Sequence, residues 1–168
     1  MPVTPFHFGI GAALSAVAPR HIGFVAFCTT NIAIDIESLV NLLNGAYPVH
    51  RFLHTYVGAT LAAVGMAVLL GLALRLRVLH SLATIFGSAG LRATPIIVGS
   101  LLGAWSHVLL DSIMHRDVAP WWPFSDGNDL LGSLSMVRLH LLCLAGFVIG
   151  LVVFIVRASY RHLKDRLQ

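Results

Sequence analysis

The sequence predicts an all-α, polytopic membrane helix bundle of about five segments, one of them short. Three observations carry that prediction. Of its 168 residues, 57% are hydrophobic and 11% charged, against roughly 45–50% and about 25% in soluble domains. Several stretches run without a charge for the length needed to cross about 30 Å of hydrocarbon at about 1.5 Å per residue. The basic residues sit at the ends of those stretches, the pattern of a topology signal.

The first apolar stretch, about Pro5 to Ala18, is interrupted by Pro19, Arg20 and His21, and a longer one runs from about Ile22 to Leu43. The two are expected to form a helical hairpin that turns at Pro19 to His21. The opening MPVTPFHFG lacks a basic leader and a small-residue cleavage pattern, so this stretch is expected to be retained. Val57 to Leu74 is the clearest span, closed by Arg75 and Arg77. Two more follow, about Ala93 to Leu110 and Leu139 to Val156. No repeat, linker or low-complexity stretch divides the chain, so residues 1–168 are expected to form one domain.

Orientation follows from the basic tail Arg157, Arg161, Lys164 and Arg166, which belongs in the cytoplasm. Working backwards, the loop from His115 to Met136 is outside, Arg75 to Arg92 inside, Asn44 to His54 outside, the turn at Arg20 inside and the N-terminus outside. The outer loop agrees, with Asp117, Asp126 and Asp129 against Arg116 alone. A net charge of +4 raises nucleic acid as a partner, but the basic residues are scattered outside the tail and form no binding patch, so none is expected. Cys28 and Cys143 lie in apolar runs and imply neither a disulfide frame nor a thiolate metal site.

Polar groups within membrane segments must pair, face a wet cavity or do chemistry. His50 and His54 are spaced i and i+4, so on a helix both would point at a common ion. His107 and Asp111 repeat that spacing at the outer end of a span, where a hydrogen-bonded pair is an equal reading. Asp35 is expected to face inward from an apolar helix, with Glu37 turned elsewhere. His7, in Pro5-Phe6-His7-Phe8-Gly9, reads alone as an interfacial histidine. The topology, derived without these residues, changes their meaning. Asp35 lies roughly 21 Å up a helix from His21, and His7 roughly 17 Å up from Ala18. Both approach the level of His50/His54 and His107/Asp111. Imidazoles and carboxylates gathered at one depth suit zinc or a similar divalent ion, with room for one or two ions sharing a carboxylate.

The order His7-x3-Gly11, Asp35-x-Glu37, His50-Arg51-x2-His54-Thr55 and Ser106-His107-x2-Leu110-Asp111, followed by Trp122-Pro123-Phe124, resembles the family of bacterial inner-membrane-associated metal-dependent hydrolases. That family is grouped with the zinc-dependent phospholipase C and single-strand nuclease enzymes, helical proteins that cleave phosphate esters with a metal cluster. The resemblance covers roughly Pro5 to Phe124. It implies His7, Asp35, His50 or His54, His107 and Asp111 as ligands, with Asp111 as the bridge. This chain departs from the pattern in having Glu37 where aspartate is common and Tyr56 where a small serine is usual. It also lacks the further His and acid pair that the zinc phospholipases carry on a later helix, His115 and His140 being the only spare outer histidines.

The leading expectation is a hydrolase of phosphoesters, with a lipid or lipid-linked phosphate at the outer leaflet as substrate. Asp35 would serve as ligand or general base, and Arg51 would steady the anionic substrate. The alternative is a non-catalytic subunit of a larger membrane complex holding a structural or degenerate metal site. A small proton or ion carrier fits less well, because the polar groups share one depth instead of lining a path. Trp121, Trp122 and Phe124 read as an interface anchor among membrane lipids. Gly58, Gly65, Gly71, Gly99 and Gly103 read as close-packing positions. Gly146 and Gly150 mark a helix contact or a protein partner. Arg138 is a second candidate phosphate contact, and His80 and His162 are expected to be solvated on the inner side.

Overall fold

Each predicted apolar stretch becomes a helix whose ends are set by local chemistry. A computed structural model describes residues 4–76 and 91–166. Most of the inner loop expected from Arg75 to Arg92, with Arg77 and His80, lies outside the described residues, as do the side chains of Arg161, His162 and Arg166. In chain order the helices are α1 (Phe8–Val17), α2 (Phe24–Leu43), α3 (Tyr56–Arg75), α4 (Ala93–Met114) and α5 (Met136–Arg166). Single 3-10 turns, Thr4–His7 and Phe52–His54, lead into α1 and α3. There is no strand among the described residues.

At the start of α3, Thr55 Oγ1 accepts from Gly58 N at 2.9 Å and satisfies a free amide of the first turn. Helix α2 stops where Gly45 takes a φ of 64° and its N–H returns to Leu42 O, a left-handed ending that glycine reaches without strain. Pro95 lies in the first turn of α4, where its missing N–H has no partner to lose. Instead its carbonyl accepts from Gly23 N at 2.9 Å, tying the start of α4 to the start of α2.

Helices α2 to α5 are each long and apolar enough to cross a membrane. Helix α1, at ten residues, reaches only about 15 Å. Leu61, Val64, Val68 and Leu69 of α3 and Leu151, Phe154 and Ile155 of α5 are exposed, so the outer surface of the bundle is hydrocarbon, as lipid contact requires. The chain is a multi-pass membrane protein by these criteria.

Helix α4 is the centre, packed against α2 and α3. Ile34, Ala59, Ala63, Ala104 and Val108 close one core where these three helices meet, and Ala26, Leu70 and Ile96 close a second further along. Helix α1 packs chiefly against α5 and only lightly against α2, so the expected α1–α2 hairpin forms its turn without forming a close pair. The reason lies in small residues. A Cβ on Gly9 would fall 1.9 Å from Cys143 O, and one on Gly146 would fall 2.5 Å from Gly9 O, so α1 and α5 approach backbone to backbone. Gly146 and Gly150 are thus used within the chain, Gly150 lying against Ala12, while Gly65 and Gly71 face open space.

This packing brings the beginnings of α1, α3 and α5 and the ends of α2 and α4 to one end of the bundle. There His7 bonds Asp111, and Phe6 meets His140 edge to face with ring centroids 4.8 Å apart.

Candidate metal centre

Four side chains from two helices and one turn converge at that end. Asp35 comes from α2, His54 from the turn before α3, and His107 and Asp111 from successive turns of α4. His107 Nε2 lies 3.3 Å from Asp35 Oδ1, 3.4 Å from Asp111 Oδ2 and 3.4 Å from His54 Nε2. His54 Nε2 lies 3.5 Å from Asp111 Oδ2 and 3.7 Å from Asp35 Oδ1. Ligands about 2.0–2.1 Å from a tetrahedral ion stand about 3.3–3.4 Å from one another. Five edges of the four-donor group are therefore at or near the length such an ion imposes.

The partners of these donors strengthen the fit. Asn31 Nδ2 donates to Phe27 O at 2.8 Å and to Gly103 O at 3.2 Å, which leaves its Oδ1 as the acceptor of His107 Nδ1–H at 3.0 Å. The neutral ring then carries its lone pair on Nε2, aimed at two carboxylates and a second imidazole. Such a contact is relieved either by a metal ion among the four atoms or by a proton on Nε2, which makes the ring a donor to Asp35 and Asp111. His54 and His107 are fully buried and Asp111 is 3% exposed. Asp35 keeps 27% of its side chain accessible, so the group has one open side.

Around His54, burial of the ring opposes its charge, but the carboxylates of Asp111, Asp35 and Glu37 outweigh that and push its pKa up to about 10. The pocket attracts positive charge strongly. Buried carboxylates need compensation, which a metal ion or a protonated histidine can supply. The group could hold a metal ion.

The structure sorts the expected residues. His7 is buried, places Nε2 3.1 Å from Asp111 Oδ1 and stacks on His107 with centroids 4.6 Å apart. It occupies the second oxygen of Asp111 instead of joining the four donors. His50 and His54 do not share a helix face. His50 lies in the coil before the 3-10 turn and His54 ends that turn, because Thr55 starts α3 after both. Their rings still meet edge to face at 4.7 Å, but His54 enters the four-donor group and His50 turns to Asp117, with Nδ1 2.9 Å from Oδ1.

Glu37 does not turn away as expected. Its Oε2 accepts from Leu53 N at 2.8 Å and lies 3.7 Å from His54 Nδ1, so it fixes both the turn and the ring it carries. Arg51 is exposed, with Nε donating to Pro48 O at 3.0 Å, and no contact among the described residues joins it to the four donors. Arg138 is likewise exposed. The aromatic loop is on the surface, with Phe124 85% exposed and Trp121 resting on Tyr56 at 4.8 Å.

Three residues gain a place that their sequence positions did not assign. Asn31 holds His107, and Ser38 Oγ lies 3.3 Å from His54 Nε2. His115 lies one helical turn past Asp111, with its N–H on Asp111 O at 2.7 Å, and its ring stacks on His50 at 4.3 Å. The signal for His115 was the continuation of the four-residue spacing from His107 and Asp111. Asn31, four residues before Asp35, had no signal beyond being an amide in an apolar helix. Comparison of the chain with family models, with curated proteins and with solved structures gives no match.

Proposed function

We propose that the protein is a membrane-bound metal-dependent hydrolase that cleaves a phosphoester, its substrate a lipid or lipid-linked phosphate. The observation that supports this reading most is the near-tetrahedral set Asp35, His54, His107 and Asp111, buried on three sides and open beside Asp35. An ion of the zinc class held by His54, His107 and Asp111, with Asp35 acting as base and not as ligand, would supply a Lewis acid for a phosphoryl oxygen and a position for a water that ionises near neutral pH.

The chain's own residues divide the remaining work. Asn31 fixes the orientation and proton position of His107, and Glu37 braces His54 from its Nδ1 side. His7 holds the second oxygen of Asp111, the atom through which that carboxylate would bridge to another ion. Asp35, the accessible carboxylate, is placed to take a proton from the attacking water. Arg51 at the rim would steady the substrate phosphate by turning from Pro48 O. The motif order and the charge pattern add support for a bacterial inner membrane, with the cluster facing the outer side and the C-terminus in the cytoplasm.

The test uses the full-length protein in vesicles containing phospholipid and a lipid-linked phosphate. Release of the phosphorylated headgroup or of phosphate is followed before chelation, after chelation and after zinc is restored. The reading expects activity to vanish and return, and to fall at least about 100-fold in Asp111→Asn. Stoichiometric zinc without turnover, together with a stable partner protein in mild detergent, would instead establish a non-catalytic subunit holding a structural ion.

A further inference from the structure

Beside the four-donor group lies a second convergence of ligating side chains. His50 comes from the segment between α2 and α3, while His115 and Asp117 come from the chain just past α4. One nitrogen of each imidazole and one carboxylate oxygen lie within 4.8 Å of one another. We propose that His50, His115 and Asp117 bind a second divalent ion, of the zinc class, at the rim of the pocket.

The cluster is built and held. Asp117 Oδ2 accepts two backbone N–H groups, Val49 at 2.9 Å and His50 at 3.1 Å, which pins the carboxylate so that Oδ1 faces the His50 ring at 2.9 Å. His115 is anchored at both ends of its peptide, its N–H on Asp111 O at 2.7 Å and its carbonyl accepting from Asn128 Nδ2 at 3.3 Å. Its ring lies 25° from parallel with that of His50. Neither His115 ring nitrogen has a hydrogen-bond partner among the described residues. Arg116, between the two candidate ligands, is exposed and leaves the cluster to two imidazoles and one carboxylate.

Two imidazoles and a carboxylate form a ligand set that zinc accepts, and three protein ligands leave a position for water or a substrate oxygen. All three side chains are only partly buried, so that position is reachable. The two clusters touch through the His50–His54 ring contact at 4.7 Å and through the backbone hydrogen bond from His115 N–H to Asp111 O. An anionic substrate oxygen could therefore meet both ions. The second site stands on its own ligands and does not depend on the hydrolase reading.

The test is metal counting on the full-length protein in detergent, loaded with zinc or cobalt and dialysed free of excess. Two ions per chain are expected. His115→Gln and Asp117→Asn should each retain one ion, and Asp117→Asn keeps the backbone acceptor in case His115→Gln folds poorly. His107→Gln should lose the other ion, and cobalt absorbance should separate the two sites by their different ligand sets. One ion in the unaltered protein, lost in His107→Gln but kept in both rim variants, overturns the second site and leaves the first. Two ions retained in both rim variants also overturns it. No ion at all overturns both.

Discussion

Asn31→Leu is the sharpest probe of how the metal centre is held, because it changes no ligand. In the native chain the amide is clamped by its two donations to Phe27 O and Gly103 O, and its oxygen accepts His107 Nδ1–H at 3.0 Å. Leucine is of similar size and suits the surrounding helix contact, but it offers no acceptor. His107 then loses both its fixed rotation and the bias that leaves Nε2 free for a metal. Loss of such a supporting hydrogen bond costs about 10–100-fold in metal affinity, equal to about 1.4–2.7 kcal/mol. The assay is competition for zinc against a chelating dye in detergent, with circular dichroism to show that the helices persist. A folded Asn31→Leu protein that binds zinc within twofold of the native affinity would refute the claim that Asn31 positions His107 for an ion.

Three further outcomes follow from the packing and the site. Gly146→Ala should push α5 off α1, because its Cβ would lie 2.5 Å from Gly9 O; a loss of about 1–3 kcal/mol is expected in detergent unfolding, whereas Gly65→Ala, facing open space, should lose nothing. Thr55→Ala removes the acceptor of Gly58 N at the start of α3 and should cost about 1 kcal/mol, with Thr55→Ser restoring it. Chelation should lower the melting temperature of the native protein, since zinc at about 100 times its Kd adds about 2.7 kcal/mol; in His107→Gln, which keeps only the rim ligands, the drop on chelation should be smaller.

The bundle was largely legible because membrane spans depend on length and hydropathy, which are local properties. Val57 to Leu74 and Ala93 to Leu110 match α3 and the body of α4 within a few residues. That His7, Asp35, His50, His54, His107 and Asp111 gather at one level was legible because alternating helices fix which ends share a level, but the choice of His54 over His50 was not. What failed was local conformation between helices. The i, i+4 spacing of His50 and His54 predicted a shared helix face, but Thr55 caps α3 only after both, so they take different partners. Glu37 was expected to turn elsewhere; its carboxylate is long enough to reach Leu53 N from the neighbouring segment. The place of α1 beside α5 depends on close backbone approach at Gly9 and Gly146, which the glycine spacing alone could not assign to an internal or an external partner.

The decisive question for the metal centre is whether one ion occupies the space among Asp35 Oδ1, His54 Nε2, His107 Nε2 and Asp111 Oδ2. Anomalous diffraction at the zinc edge, on crystals of protein never exposed to chelator, reads this without assuming a substrate. An ion in that space gives a peak about 2.0–2.2 Å from its ligating atoms among the four. Well-ordered density for the four side chains with no anomalous peak among them, their charges met by direct histidine–carboxylate hydrogen bonds, would contradict a metal centre there.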